Sequence, residues 1–109
     1  MSDNLTGSKI YLLPEHIIFD AVTDLAGMQG AKITLSSTVE GKICFFADLY
    51  GEMREYRFFI INIGKKRCNV RLEIVDPEAD RPDKKAMIKR QFALLDSMLI
   101  INVETAFEG

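Results

Sequence analysis

From Lys32 to Val75 the chain is organised by a repeat of two, apolar against polar, and on either side of that stretch the repeat lengthens to that of a helix. Ahead of it, Ile17, Ile18, Ala21, Val22 and Leu25 recur at helical spacing. The pattern starts after Pro14, whose fixed backbone angle suits a first helical position, and stops at Gly27 and Gly30. Behind it, Met87, Ile88, Gln91, Phe92, Leu94, Leu95, Met98 and Leu99 form the broad inner face of a long helix starting at Pro82, with Lys85, Lys89, Arg90 and Asp96 outside that face. Turns at Gly41, at Gly51 and at Gly64-Lys65-Lys66 divide the alternating stretch into four strands, and Asp76-Pro77 ends it. The pattern predicts an α+β fold. Its core is a four-stranded antiparallel meander, with an optional short strand at Lys9 to Leu13, flanked by an N-terminal helix and a long C-terminal helix.

The register of the first hairpin follows from matching apolar residues. A three-residue turn, Glu40-Gly41-Lys42, sets Val39 opposite Ile43, Leu35 opposite Ala47 and Ile33 opposite Leu49, whereas a two-residue turn sets Val39 against Lys42. The three-residue turn sends Ile43, Phe45, Ala47 and Leu49 to the core, and Cys44, Phe46, Asp48 and Tyr50 to the opposite face. In the second hairpin Cys68, Val70, Leu72 and Ile74 alternate with Asn69, Arg71 and Glu73, but Phe58, Phe59, Ile60 and Ile61 are apolar on both faces. A three-residue turn there turns Phe59 and Ile61 outward beside Asn69 and Arg71. A two- or four-residue turn instead turns Phe58 and Ile60 outward beside Arg71 and Glu73.

Either way the second face carries an apolar stripe, rimmed by Ser36, Thr38, Asn69 and Arg71. With Phe58 and Ile60 outward, the expected contact surface is Cys44, Phe46, Asp48, Tyr50, Phe58 and Ile60. Aromatic side chains bury about 150–250 Å² each, so three of them exceed the few hundred Å² of contiguous apolar surface usual on a soluble monomer. A helix, a ligand or a second copy should cover it. If both helices pack on one face, the striped face is left for a partner. If the C-terminal helix crosses the stripe, a cavity forms beneath it.

Size and charge narrow the classes. At 109 residues, 48% hydrophobic and 28% charged, the chain fits one α+β domain over residues 9–109, after a flexible leader of residues 1–8. Fourteen Lys and Arg stand against 16 Asp and Glu, a net charge of -2, so no overall pull toward nucleic acid or anionic lipid is expected. Cys44 and Cys68 form no C-x-x-C pair, and the first 13 residues lack the features of a secretory signal. They read as free thiols of a soluble cytoplasmic protein. The longest apolar run, near Met98 to Ile101, is far shorter than the roughly 20 residues that span a bilayer.

Candidate chemistry is sparse. His16, Asp20 and Asp24 follow one another at i, i+4 and i+8, a spacing that can present an imidazole and two carboxylates to a metal, yet no second His or suitably spaced Cys completes a site. A solvated helix face is the better reading. Arg81, Lys84, Lys85, Lys89 and Arg90 make a basic cluster, which Lys65, Lys66 and Arg67 extend if that turn lies nearby. Asp76, Glu78, Asp80 and Asp83 interleave it, and no Gly-rich loop precedes the helix, so phosphate binding is not favoured. Asp48 is the carboxylate to watch: burial among Cys44, Phe46 and Tyr50 would raise its pKa. The plainer expectation is a hydrated Asp48 near the strand end, or one bonded to Thr34. No catalytic constellation, metal site or cofactor is expected.

The segment "IYLLPEHIIFDAVTDLAG", Ile10 to Gly27, resembles the opening of the START-type helix-grip superfamily, in which a short strand leads into a Pro-Glu-x-apolar-aromatic-x-Ala-apolar-Thr-Asp helix. Pro14, Glu15, Ile18, Phe19, Ala21, Val22, Thr23 and Asp24 carry the likeness. It implies a curved antiparallel sheet gripping a long C-terminal helix, with an apolar ligand between them. Two functions are therefore expected of this chain. The first is a non-enzymatic module that self-associates, as a dimer, through the striped face. The second is a small carrier or enzyme with an apolar ligand under the C-terminal helix and Asp48 and Tyr50 as polar handles.

Overall fold

A computed structural model describes residues 4–49, 52–75 and 84–108. Seven elements follow in chain order: β1 (Asn4–Tyr11), α1 (Glu15–Met28), β2 (Lys32–Ser37), β3 (Lys42–Leu49), β4 (Glu52–Gly64), β5 (Arg67–Val75) and α2 (Lys84–Glu108). The fold is α+β. Strands β2 to β5 form the expected meander, and β1 adds a fifth strand antiparallel to β5, giving the order β1-β5-β4-β3-β2. The optional N-terminal strand is thus present, longer and earlier than Lys9–Leu13. Residues 4–8, expected in a flexible leader, are paired with Arg71 to Val75. Pro82, as the start of the second helix, lies outside the described residues.

Helix α1 links the two edges of the sheet. Five strands about 4.8 Å apart place those edges about 19 Å from one another, and a helix of 14 residues is about 21 Å long. Its apolar side, Ile18, Ala21, Val22, Leu25 and Ala26, is buried over β4, β3 and β2. Helix α2 packs beside α1 and over β1, burying Met87, Ile88, Gln91, Phe92, Leu95 and Leu99. Both helices therefore sit on one face. The core closes with Ile43, Phe45 and Ala47 of β3, Tyr56, Phe58 and Ile60 of β4, and Cys68, Val70, Leu72 and Ile74 of β5. Within it the Phe45 ring stacks on Tyr56 at 5.2 Å and on Phe58 at 6.0 Å.

Two polar clusters fix the helices. Gln91, only 5% exposed, exchanges two amide hydrogen bonds of 3.3 Å with Gln29 at the C-terminal cap of α1. The Asp96 carboxylate accepts a 2.6 Å bond from the Tyr11 hydroxyl and a 2.7 Å bond from the Lys9 ammonium, tying α2 to β1. No helix among the described residues is long and apolar enough to cross a membrane.

The first hairpin departs from the expected register. Ser37 pairs with Lys42, so the turn has four residues, and a shift between Ile33 and Leu35 bulges the strand at Thr34. Local chemistry explains the longer turn. The Ser37 hydroxyl accepts the Glu40 N–H at 3.2 Å, and Gly41 adopts a left-handed φ of 63° while its carbonyl accepts the Ile60 N–H at 2.7 Å. Leu35 consequently pairs with Cys44 on the outer face, Ser36 pairs with Ile43 on the core side, and Val39 is 96% exposed in the turn. The faces of β3 are as expected, because its own alternation decides them.

Candidate functional site

The uncovered side of the sheet is built from alternate residues of each strand, so its composition depends on register. In the second hairpin Gly64 pairs with Arg67 across a two-residue turn, Lys65-Lys66, with Lys66 in the left-handed region at a φ of 53°. A bulge at Ile63, where the Gly64 N–H bonds the Asn62 side chain at 3.0 Å, moves the register by one. The strands therefore pair as a three-residue turn would pair them: Phe59 opposite Arg71 and Ile61 opposite Asn69. Phe58 and Ile60, expected on the contact surface, are instead 0% and 4% exposed in the core beneath the helices.

Of the other expected surface residues, Cys44, Phe46 and Asp48 do lie on the outer face, and Tyr50 lies outside the described residues. Phe46 is 38% exposed. Cys44 is buried, its thiol pushed up by desolvation, and Cys68 is likewise buried and raised on the core side. The two thiols are free and on opposite faces of the sheet. Asp48 is exposed rather than enclosed, and Thr34 donates to the Cys44 carbonyl at 3.3 Å rather than to Asp48.

The apolar stripe is broken at its centre. Arg57 reaches Glu55 at 2.6 Å and Glu73 at 3.0 Å, and Arg71 meets the second oxygen of Glu73 at 3.5 Å. This network divides the face into two apolar lobes. Toward one end are Phe46 and Met53, with Leu35 at the β2 edge in the row of Arg57, and toward the other are Phe59, Ile61 and Ile10. The Phe59 ring lies between Lys42 and Arg71, whose cationic groups stand 5.3 and 5.8 Å from its centroid.

Phe59 and Ile61 were the outward pair of the three-residue-turn alternative, whereas Arg57, Glu55 and Met53 were not among the expected surface residues. The signal for them is the parity of β4. Glu55 and Arg57 are two charges on one face, and Phe59 and Ile61 continue that face, while Tyr56 leads to Phe58 and Ile60.

Elsewhere, His16, Asp20 and Asp24 are exposed along α1, and among the described residues no cluster of His, Cys, Asp and Glu side chains converges on a metal-sized site. Lys65, Lys66 and Arg67 lie at the Tyr11 end of β1, beside the Asp96 part of α2. Lys85 flanks Gly7, further along the strand, so the turn does not extend the basic cluster. Arg81 and the acidic residues Asp76, Glu78, Asp80 and Asp83 lie outside the described residues. An apolar cavity of about 140 Å³ opens between the first turn of α1 and the β2–β3 turn, lined by Glu15, His16, Phe19, Thr38, Gly41 and Ile60.

No protein-family model matches this sequence, and no curated protein matches it. Among solved structures the chain is similar to the Zhui aromatase/cyclase of a Streptomyces species, at 10% identity and a TM-score of 0.48, covering 94% of each chain. It is also similar to a START superfamily protein of Mycobacterium smegmatis, at 14% identity and a TM-score of 0.42, covering 96% of this chain and 97% of that one.

Proposed function

We propose that this protein is a non-enzymatic assembly module that pairs two copies through the outer face of the sheet. The observation carrying this reading is that both helices occupy one side, while Leu35, Phe46, Met53, Ile61 and Ile10 on the other are each 38% to 58% exposed. Five strands at about 4.8 Å and eight residues at about 3.3 Å span about 600 Å², close to the roughly 800 Å² per partner of a standard interface. Charge favours a second copy as the occupant. Among the described residues the face carries Lys32, Lys42, Arg57 and Arg71 with Asp48, Glu55 and Glu73, so it opposes itself with little net repulsion and matches neither a strongly basic nor a strongly acidic partner as well.

Phe46→Glu tests the reading. A charge there is costly only when a partner buries it, so the variant should be a monomer in sedimentation velocity at concentrations where the parent is a dimer, with a nearly unchanged unfolding midpoint. A parent that stays monomeric at high micromolar concentration removes the proposal.

The cavity beside α1 favours a second reading, a site for a small apolar ligand. At about 140 Å³ it approaches the size of engineered cavities that take up benzene, and it is well below the roughly 300–1,000 Å³ of drug-sized pockets. His16 and Thr38 are its polar handles. Asp48, being on the other face of the sheet, is not. Benzene titration should shift the amide resonances of Phe19, Thr38 and Ile60 in a saturable way, and unmoved resonances would exclude this site.

A further inference from the structure

The free edge of β1 and the adjoining side of α2 enclose a groove of about 440 Å³ on the helix side of the sheet. Strand β1 pairs with β5 through eight consecutive residues without a bulge, and among the described residues it has no strand on its other side. Every second residue therefore turns its N–H and C=O away from the sheet, along the groove. The opposite edge, β2, is bulged at Thr34 and is the poorer template. Gly7 lets the helix close over this edge, since a Cβ there would collide with the Ile88 side chain.

The groove has a charge pattern as well as a shape. Ile88 and Phe92 form its floor, and Lys85 and Lys89 stand exposed on the helix wall, with Lys9 on the strand. Among the described residues its one lining carboxylate, Asp96, is already bonded to Lys9 and Tyr11. An open strand edge beside a helix receives an extended peptide as an added strand, main-chain bonds supplying affinity and alternate side chains specificity.

We propose that this groove binds an extended acidic peptide, added as a sixth strand on β1, with its alternate carboxylates turned to the helix side toward Lys85 and Lys89, their methylenes over Ile88 and Phe92, and the intervening side chains turned to the outer face. A second copy is the poorer occupant. Its own β1, "NLTGSKIY", offers a lysine and no carboxylate, so edge-to-edge pairing would bring two sets of groove lysines together. The site is separate from the outer face and from the cavity beside α1.

The test is fluorescence anisotropy of a fluorescein-labelled octapeptide alternating valine and glutamate, titrated with the whole chain. Saturable binding is expected, weakening with salt and falling about tenfold in the Lys85→Glu/Lys89→Glu double variant. N-methylation of alternate peptide amides, which leaves the protein untouched, should abolish it, and a valine–lysine peptide should not bind. The proposal is overturned by equal binding of the N-methylated peptide, by unchanged affinity in the double variant, or by no saturation at about millimolar protein. Hydrogen-exchange protection of β1 that rises with protein concentration in the absence of peptide would also overturn it, as the signature of a second copy on that edge.

Discussion

Tyr11 joins a strand to a helix through one proton. Its hydroxyl, 8% exposed as a residue, donates to Asp96, and burial first and that bond second raise its pKa well above the ordinary value of 10.0. Because the folded chain holds this proton more tightly than the unfolded chain, the associated stability is complete below about pH 10 and declines as pH rises beyond it. The thiols of Cys44 and Cys68, also raised by burial, add a decline that begins near their ordinary value of 9.0. Urea midpoints measured from pH 8 to 11 should therefore fall. Tyr11→Phe should flatten the portion above pH 10 and cost about 1–2 kcal/mol at neutral pH, since Asp96 loses a donor in a partly buried place. An undiminished slope in the variant would assign the alkaline decline to other groups.

At the scale of elements, the contact between α1 and α2 turns on the Gln29–Gln91 amide pair. Gln29→Ala leaves the Gln91 amide nearly buried and without this partner, and should destabilise the chain by about 1–3 kcal/mol. Replacing both residues with leucine should recover most of that loss, and a double-mutant cycle on urea midpoints would measure it. Additive losses would show that the pair is not coupled. Two glycines make a second contrast. Gly7→Ala drives a methyl group into Ile88 and should cost about 1–3 kcal/mol, whereas Gly27, in the last turn of α1 with nothing within 4 Å of an added Cβ, should accept alanine with a gain of about 0.5–1 kcal/mol.

For the whole molecule, the decisive arrangement is two helices side by side on one face of five strands. If the free face pairs two copies, association binds the folded state alone, and the thermal midpoint of the parent should rise with protein concentration. The midpoint of Phe46→Glu should not. A concentration-independent midpoint in both would leave the outer face as exposed surface with an ion-pair network at its centre.

Both helices, the meander and the inward side of β3 and β5 were legible in the chain, because each rests on a period that a single segment carries: Ile18 to Leu25 at helical spacing, and Cys68 to Ile74 at spacing two. The expectation failed where a face depended on two segments meeting. Val39 and Leu35 left the core because Ser37 and Gly41 made a four-residue turn and Thr34 bulged, neither of which alternation encodes. Phe58 or Phe59 was open for the same reason, and a one-residue bulge at Ile63 resolved it. The eight-residue length of β1 also lay beyond local pattern, since "NLTGSK" has no apolar period and becomes a strand by pairing with β5 under α2. Periodicity within one element is set by its own geometry, but register, bulges and the covering of a face are set by partners distant in the chain, and those partners placed Arg57 rather than an aromatic ring at the centre of the free face.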